Sequence, residues 1–339
     1  MKDIENTKKE APMLGLTGMG GGVASLMWAG GEILYNLFGV GRQDYEKGGE
    51  LGLNDRTNRS SPCQVPSGSA DGWTNLWDGG YHYKDTAFGS KEPGTLWGWG
   101  SAGYGVTGTN GQGPPSILDR GYSSPTQVGT DTNWAFASAS NENVTATKTD
   151  GTLWNWGKAQ YLARPPGFPA NAHRSSPLQI GTGTDWAYES TTGNKVYRTT
   201  YTSFAIKQNG TLWAWGYSGP AGALKGALGM NDDASESNNR YSRSSPMQVG
   251  TDTTWESIGQ CYYHCSTANK TDGTTWVWGA NDDGCLGLSS DKADKSSPTQ
   301  LPGNWQKVCV NTRNCYGIKS GALYSWKSNG HGQLGHNEG

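Results

Sequence analysis

Apolar and polar residues alternate along most of this chain with the two-residue period of strands, in short pieces separated by turn residues. Val144-Thr145-Ala146-Thr147-Lys148 is one such piece, followed by Asp150-Gly151 and then Leu153-Trp154-Asn155-Trp156. Asn209-Gly210 and Asp272-Gly273 precede Leu212-Trp213-Ala214-Trp215 and Thr275-Trp276-Val277-Trp278 in the same way. A period of two places successive side chains on opposite faces of a sheet. Asp-Gly or Asn-Gly between two such runs supplies the positive φ of a two-residue hairpin turn. Another strand, opening with Trp, is expected before each hairpin, at Trp73, Trp134, Trp186, Trp255 and Trp305. A fourth, Ser-Ser-Pro-x-Gln, is expected after it, where Pro is tolerated at a sheet edge.

The unit repeats. Gly94-Thr95-Leu96-Trp97-Gly98-Trp99-Gly100 returns at Gly151–Gly157, Gly210–Gly216 and Gly273–Gly279, with weaker copies at Glu32–Gly39 and Gly321–Trp326. That makes six. The prolines of the second phrase, Pro62, Pro125, Pro177, Pro246 and Pro298, are spaced by 63, 52, 69 and 52 residues. The sixth copy of that phrase is missing, and Ala11-Pro12-Met13-Leu14 resembles it. The reading is ring closure, with the N-terminal segment supplying the strand that the last repeat lacks. Four strands per unit, repeated in a row, predict an all-β fold: a β-propeller of four-stranded blades. Six blades are favoured and a degenerate seventh stays open. Residues 1–10 read as a polar arm and 11–339 as a single propeller domain.

Three phrases recurring in fixed order resemble the regulator of chromosome condensation repeat family. They are Asp/Asn-Gly-Thr-Leu-Trp-x-Trp-Gly, Gly-x-Leu-Gly (Gly49–Gly52, Gly284–Gly287, Gly332–Gly335) and Ser-Ser-Pro-x-Gln-Val. The resemblance covers residues 11 to 339 and implies a propeller whose ring is joined by a terminal strand. The family usually has seven blades, against six counted here. It serves in nucleotide exchange on small GTPases, in inhibition of secreted hydrolases and in large structural or viral proteins. The basic tail and nuclear-type basic cluster of the chromatin-binding member have no counterpart in this sequence, so that role is not carried over.

Composition sharpens the picture in one respect. There are 52 Gly and 16 Trp but only 5 Phe. Fourteen of the 16 Trp fall at equivalent repeat positions, with only Trp28 and Trp77 outside. The rings are therefore the core, each able to bring about 150–250 Å² out of water. A net charge of −2 offers no basic footprint for nucleic acid. No run of about 18 apolar residues exists to span a membrane. Met13–Trp28 is broken by glycines, unlike the compact apolar stretch of a secretory signal, so cytoplasmic synthesis without processing is expected.

Candidate chemistry is sparse. His82, His173, His264, His331 and His336 accompany no nucleophile motif, and Gly18–Gly22 lacks the Gly-Lys-Ser/Thr ending of a phosphate loop. The acidic turns at Asn231–Asp233 and Asn281–Gly284 miss the alternating calcium pattern. No catalytic residue, cofactor or metal ligand is assigned. Six cysteines leave packed thiols, a disulfide or a metal site open. Cys265 and Cys315 each lie ten residues after an opening Trp and read as equivalent positions able to face each other. Cys261-Tyr262-Tyr263-His264-Cys265 is only superficially metal-like. Trp77, Tyr81, Tyr83, Tyr197, Arg198, Tyr262 and Tyr263 fall in homologous connections and are read as one shared binding surface around a channel mouth. The favoured function is a non-enzymatic structural and binding protein of a bacteriophage virion, a capsid decoration or tail appendage. It would be synthesised in the host cytoplasm and dock other virion proteins through Met1–Glu10, with a host-surface receptor or glycan as a further partner. The alternative is a soluble interaction module that inhibits an enzyme or acts on a GTPase.

Overall fold

The computed structural model describes residues 14–15, 23–26, 36–41, 49–66, 72–77, 86–110, 121–140, 143–158, 173–188, 193–199, 201–216, 226–231, 243–259, 265–281, 284–289, 292–310, 314–327, 329–330, 332 and 334–335. Their strands form six sheets, and within each sheet neighbours in space are neighbours in sequence. The first holds β1 (Leu14–Gly15), β2 (Val23–Leu26), β3 (Asn36–Gly41) and β4 (Arg59–Gln64). The second holds β5 (Trp73–Trp77), β6 (Thr86–Lys91), β7 (Thr95–Ser101) and β8 (Gly121–Gln127). In the third are β9 (Trp134–Ser140), β10 (Asn143–Lys148), β11 (Leu153–Gly157) and β12 (Arg174–Gln179). The fourth contains β13 (Val196–Arg198), β14 (Thr202–Ile206), β15 (Leu212–Gly216) and β16 (Arg243–Gln248). The fifth contains β17 (Trp255–Ile258), β18 (Cys265–Lys270), β19 (Thr275–Gly279) and β20 (Lys295–Gln300). Three strands make the sixth: β21 (Lys307–Val310), β22 (Asn314–Lys319) and β23 (Ala322–Lys327). The chain groups into two compact units, Met1–Trp134 with His173–Pro177, and Ala135–Ala172 with Leu178–Gly339.

The hairpin turns carry one residue more than the two expected. Lys148 N–H donates to the Thr152 carbonyl, and Gly151 N–H back to the Lys148 carbonyl, so three residues lie between the paired positions. Lys207 with Thr211 and Lys270 with Thr274 repeat this. It is the three-residue hairpin with a left-handed Gly after the turn, and Gly151, Gly210 and Gly273 have φ of +75°, +77° and +80°. The side chains then explain the rest of the motif. Asp150, Asn209 and Asp272 each accept, at Oδ1, the hydroxyl of the Thr two residues on, at 2.6, 2.7 and 2.6 Å. That Thr Oγ1 accepts the indole N–H of the first Trp of the strand, at 2.8 Å for Trp154 and 2.9 Å for Trp213 and Trp276. Acid or amide, Thr and Trp form one hydrogen-bonded relay across each turn.

The Thr274 hydroxyl and N–H hold the Asp272 carboxyl below its ordinary value. A depressed carboxyl contributes stability above its unfolded pKa and loses it as pH falls through the lower, folded value. Asn209 makes the same bonds without a charge, so Asp272→Asn keeps the hairpin and removes this acid sensitivity. Urea midpoints measured from neutral pH down to pH 3 should converge for wild type and variant at the acid end. Parallel curves would show that Asp272 does not titrate differently on folding.

In the second, fourth and fifth sheets both Trp of the Leu-Trp-x-Trp strand face the opening Trp, but they do different work. Trp255 meets Trp276 at 6.1 Å and Trp278 at 6.4 Å between centroids, and Trp73 meets Trp97 and Trp99 at 6.4 and 5.4 Å. The second Trp is the core residue: Trp99, Trp156, Trp215 and Trp278 are among the largest fully buried side chains. The first is half-buried beneath a lysine. Lys91, Lys148, Lys207 and Lys270 lie 4.4, 3.8, 4.6 and 3.8 Å above Trp97, Trp154, Trp213 and Trp276. A cation over an indole at this depth contributes about 1–2 kcal/mol. Asp185 and Asp252 add ion pairs to Lys207 and Lys270, each 2.9 Å.

The second Trp also latches neighbouring sheets. Trp99 Nε1 donates to the Glu50 carbonyl at 3.1 Å, Trp278 Nε1 to Ala227 at 3.1 Å and Trp326 Nε1 to Cys285 at 3.0 Å. Each acceptor is the second residue of a Gly-x-x-Gly turn closed by a backbone bond: Gly52 to Gly49, Gly229 to Gly226 and Gly287 to Gly284. Two residues past these turns the backbone is left-handed, at Asn54, Asn231 and Ser289, and again at Asn110 after Gly105–Gly108. Asn54, Asn110 and Asn231 give their N–H to the carbonyls of Ser123, Ser175 and Ser296 in Ser-Ser-Pro strands. The motif is longer than Gly-x-Leu-Gly, and it also occurs at Gly105–Gly108 and Gly226–Gly229.

Four expectations change. The first repeat is read three residues further on: Phe38 pairs with Gln64 as Trp97 pairs with Gln127, so Leu37-Phe38-Gly39-Val40-Gly41 takes the place given to Glu32–Gly39. Trp186 makes only an isolated bridge to Lys207, and Trp305 precedes β21 rather than opening it. Tyr197 and Arg198, expected in a connection, stand in strand β13. Finally, Leu14–Gly15, part of the segment expected to close the ring, pairs with β2 in its own sheet. A local pairing closes a short loop, which costs less entropy than one across the whole chain. Ala11–Met13 lie outside the described residues.

Candidate functional site

The structure divides the expected aromatic surface. Tyr81, Tyr83, Tyr262 and Tyr263 lie outside the described residues. Trp77 ends β5 opposite Phe88 and is 8% exposed, so it belongs to the strand and not to the connection after it. Tyr197 and Arg198 stand on β13, paired with Phe204 and Ser203. Tyr197 is half-buried against the apolar cluster that includes Trp255 and Trp278. Arg198 is 2% exposed. Neither Trp77 nor Arg198 presents a surface to a partner.

Arg198 instead centres a buried polar knot. Its Nε donates to Ser140 Oγ at 3.2 Å, its Nη1 donates to Ser203 Oγ, and its backbone N–H donates to Ser138 Oγ at 3.0 Å. Ser203 Oγ lies 3.4 Å from Thr145 Oγ1. A guanidinium has only donors, and hydroxyl oxygens can accept them. The arrangement joins β9, β10, β13 and β14 by directional bonds, beside an apolar cluster in which Trp186 and Trp215 pack with Leu153 and Ile180.

Among the described residues, three of the exposed large hydrophobics lie on the terminal hairpin. Leu323 on β23 is 71% exposed, Tyr324 47% and Ile318, opposite Leu323 on β22, 38%. The matching leucines Leu96, Leu153 and Leu212 are fully buried. Each of those gives its carbonyl to the N–H of the residue after Ser-Ser-Pro-x-Gln: Val128 at 2.8 Å, Ile180 at 2.7 Å and Val249 at 2.8 Å. Among the described residues the sixth sheet has no fourth strand, so β23 is an edge. Tyr324 stands perpendicular to Trp305, at 5.5 Å between centroids.

The cysteines are arranged otherwise than expected. The last hairpin turn, Ser320-Gly321, is one residue shorter than its counterparts. Cys315 therefore takes the register of Ser266, and Asn314 that of Cys265. Cys265 Sγ meets Cys285 Sγ, 2.7 Å away, and not Cys315, whose thiol donates to the Cys285 carbonyl at 3.3 Å. All three stand as buried thiols. The hydrogen bond with Cys285, then burial, raises the Cys265 thiol well above its ordinary value. No group of three or more His, Cys, Asp or Glu among the described residues is arranged to hold a metal ion. No helix among them is long and apolar enough to cross a membrane.

The turns, latches and sheet order described above can be set beside known proteins. Residues 272–310, from the Asp272 turn through β21, match the regulator of chromosome condensation (RCC1) repeat. The solved structure of human WBSCR16 is similar with a TM-score of 0.62 and 18% identity, over 88% of this chain and 70% of that one. Prp20p from Saccharomyces cerevisiae gives a TM-score of 0.48 and 16% identity, over 90% of this chain and 83% of that one. At this identity the likeness to WBSCR16 shows the fold alone, and it is the all-β propeller expected from the repeats.

Proposed function

We propose that this chain is a non-enzymatic protein-interaction module whose terminal hairpin, β22–β23, receives the partner. One observation carries the reading: Leu323 on the edge strand β23 and Ile318 opposite it on β22 are exposed side by side, whereas the matching Leu96, Leu153 and Leu212 are covered. Exposed aliphatic side chains side by side at a sheet edge are what an added strand would cover. An edge strand adds unpaired backbone donors and acceptors for an extended segment of the partner. The matching sheets indicate its chemistry, a strand placing an aliphatic side chain over Leu323.

Leu323→Asp should leave the fold within about 0.5 kcal/mol of wild type, as expected of an exposed position. The two proteins, immobilised and incubated with extract of the native source, should differ in one retained protein, at least tenfold weaker on the variant. Equal recovery of everything retained overturns the hairpin as the site. Sedimentation of native material then separates two kinds of partner. A large particle with a fixed copy number agrees with the virion component expected from the sequence, whereas free soluble protein agrees with a regulator or inhibitor. The Met1–Glu10 arm, the expected docking segment, lies outside the described residues, and the fold lends the virion role no support.

A further inference from the structure

We infer that Cys265 and Cys285 are a disulfide-forming pair, and that joining them fixes the turn from which the sixth sheet is held. The two residues belong to one repeat. Cys265 is the first residue of β18, and Cys285 is the second residue of the Gly284–Gly287 turn after β19. Their sulfurs touch, and both thiols also point at the Ala280 carbonyl, 3.2 and 3.0 Å away. Val277, Leu286, Leu301, Val308 and Val310 surround them. No side chain has to cross the structure for the bond to form.

The other repeats show that this is particular to the fifth sheet. The position of Cys265, paired with the Gly that ends the Leu-Trp-x-Trp strand, is Thr86, Asn143 and Thr202 in the second, third and fourth sheets. The position of Cys285 is Glu50 and Ala227 in the turns that latch Trp99 and Trp278. Only in the fifth sheet do both become cysteine. The Cys285 carbonyl accepts Trp326 Nε1 and the Cys315 thiol, so it carries two bonds from the sixth sheet. A cross-link at its side chain would hold that carbonyl in place for a sheet with one edge uncovered among the described residues.

The oxidant class is a low-molecular-weight disulfide. One cysteine, as thiolate, attacks it; the oxidant's S–S bond breaks and one thiol leaves. The second cysteine, as thiolate, displaces the remaining half, and the Cys265–Cys285 bond forms. The pair gives up two protons and two electrons, and the oxidant becomes two thiols. Buried thiols are poor nucleophiles, so the exchange runs through brief local opening and is slow beside that of an exposed cysteine.

The test uses the whole protein, incubated with oxidised glutathione, then denatured, alkylated and digested with trypsin. Cleavage after Arg243, Lys270 and Lys292 separates the two cysteines. The expected product is Ser244–Lys270 joined to Thr271–Lys292, with a higher urea midpoint than the reduced protein. Cys261 shares the first peptide, so the link must survive in Cys261→Ala and vanish in Cys285→Ala. Complete alkylation of Cys265 and Cys285 overturns the pair. A link to Cys315, or one that Cys261→Ala abolishes, overturns the assignment in the same way.

Discussion

Replacing Gly210 by alanine should destabilise the protein by about 3–5 kcal/mol. Two causes add. The backbone at Gly210 has φ +77°, which a side chain adopts only under strain. Its new Cβ would then stand 2.0 Å from the Thr253 carbonyl oxygen. That oxygen is backbone, so relief requires the segment before β17 to move. The movement breaks the bond from Trp255 N–H to the Gly210 carbonyl, 3.0 Å long, which joins the fourth sheet to the fifth. Gly273 is the internal control. It occupies the same turn position at φ +80°, but a Cβ there meets nothing within 4 Å. Gly273→Ala should therefore cost only the conformational strain, about 1–2 kcal/mol. Urea denaturation of the two variants decides the matter, and equal losses would falsify the claim that the turn glycine is required by the neighbouring sheet.

Trp278→Ala comes next in size, at about 3–5 kcal/mol, the range for deleting a large buried aromatic. Its ring is fully buried and packs edge-on to Phe204, 5.5 Å between centroids, as well as to Trp255. Its N–H also donates to the Ala227 carbonyl, which would keep only the longer bond from Ser266 Oγ, 3.5 Å. Trp278→Phe should recover much of the ring packing and still lose that bond, settling near 1–3 kcal/mol. Trp276, two residues away on the same strand, is half-buried under Lys270, so Trp276→Ala should cost clearly less than Trp278→Ala. If the two alanine variants unfold at one midpoint, the second Trp is not the core residue of the repeat.

What could be read from the sequence was what local chemistry determines. Asp-Gly-Thr-Leu-Trp carries its turn, its hydrogen-bonded relay and its strand within a few residues, so the hairpins and four-strand units were legible. Register was harder. In the first repeat Phe38 and Val40 stand where Trp is expected, and aromatic identity drew the alignment to Tyr35; the spacing of Gly39 and Gly41 held the true register. The turn at Gly105–Gly108 escaped because Val106-Thr107 replaces x-Leu, although the left-handed Asn110 follows at the same distance. Burial was least legible, since it depends on what arrives from elsewhere in the chain. Arg198 reads as a surface cation until Ser138, Ser140 and Ser203 are seen to enclose it. Cys265 reads as a partner for Cys315 until a turn shortened by one residue shifts the register and the Gly284–Gly287 turn brings Cys285 to it.

The indole latches bear on how such a chain comes to be made. They join residues 49, 51 and 41 positions apart, about one repeat each. Contacts of that span let each sheet settle once its successor has left the ribosome, without waiting for the far end of the polypeptide. Folding speed falls with the sequence separation of the contacts to be formed. A chain secured one repeat at a time should therefore acquire its structure during synthesis, from the N-terminal side onward, at a pace set by translation and not by its 339-residue length.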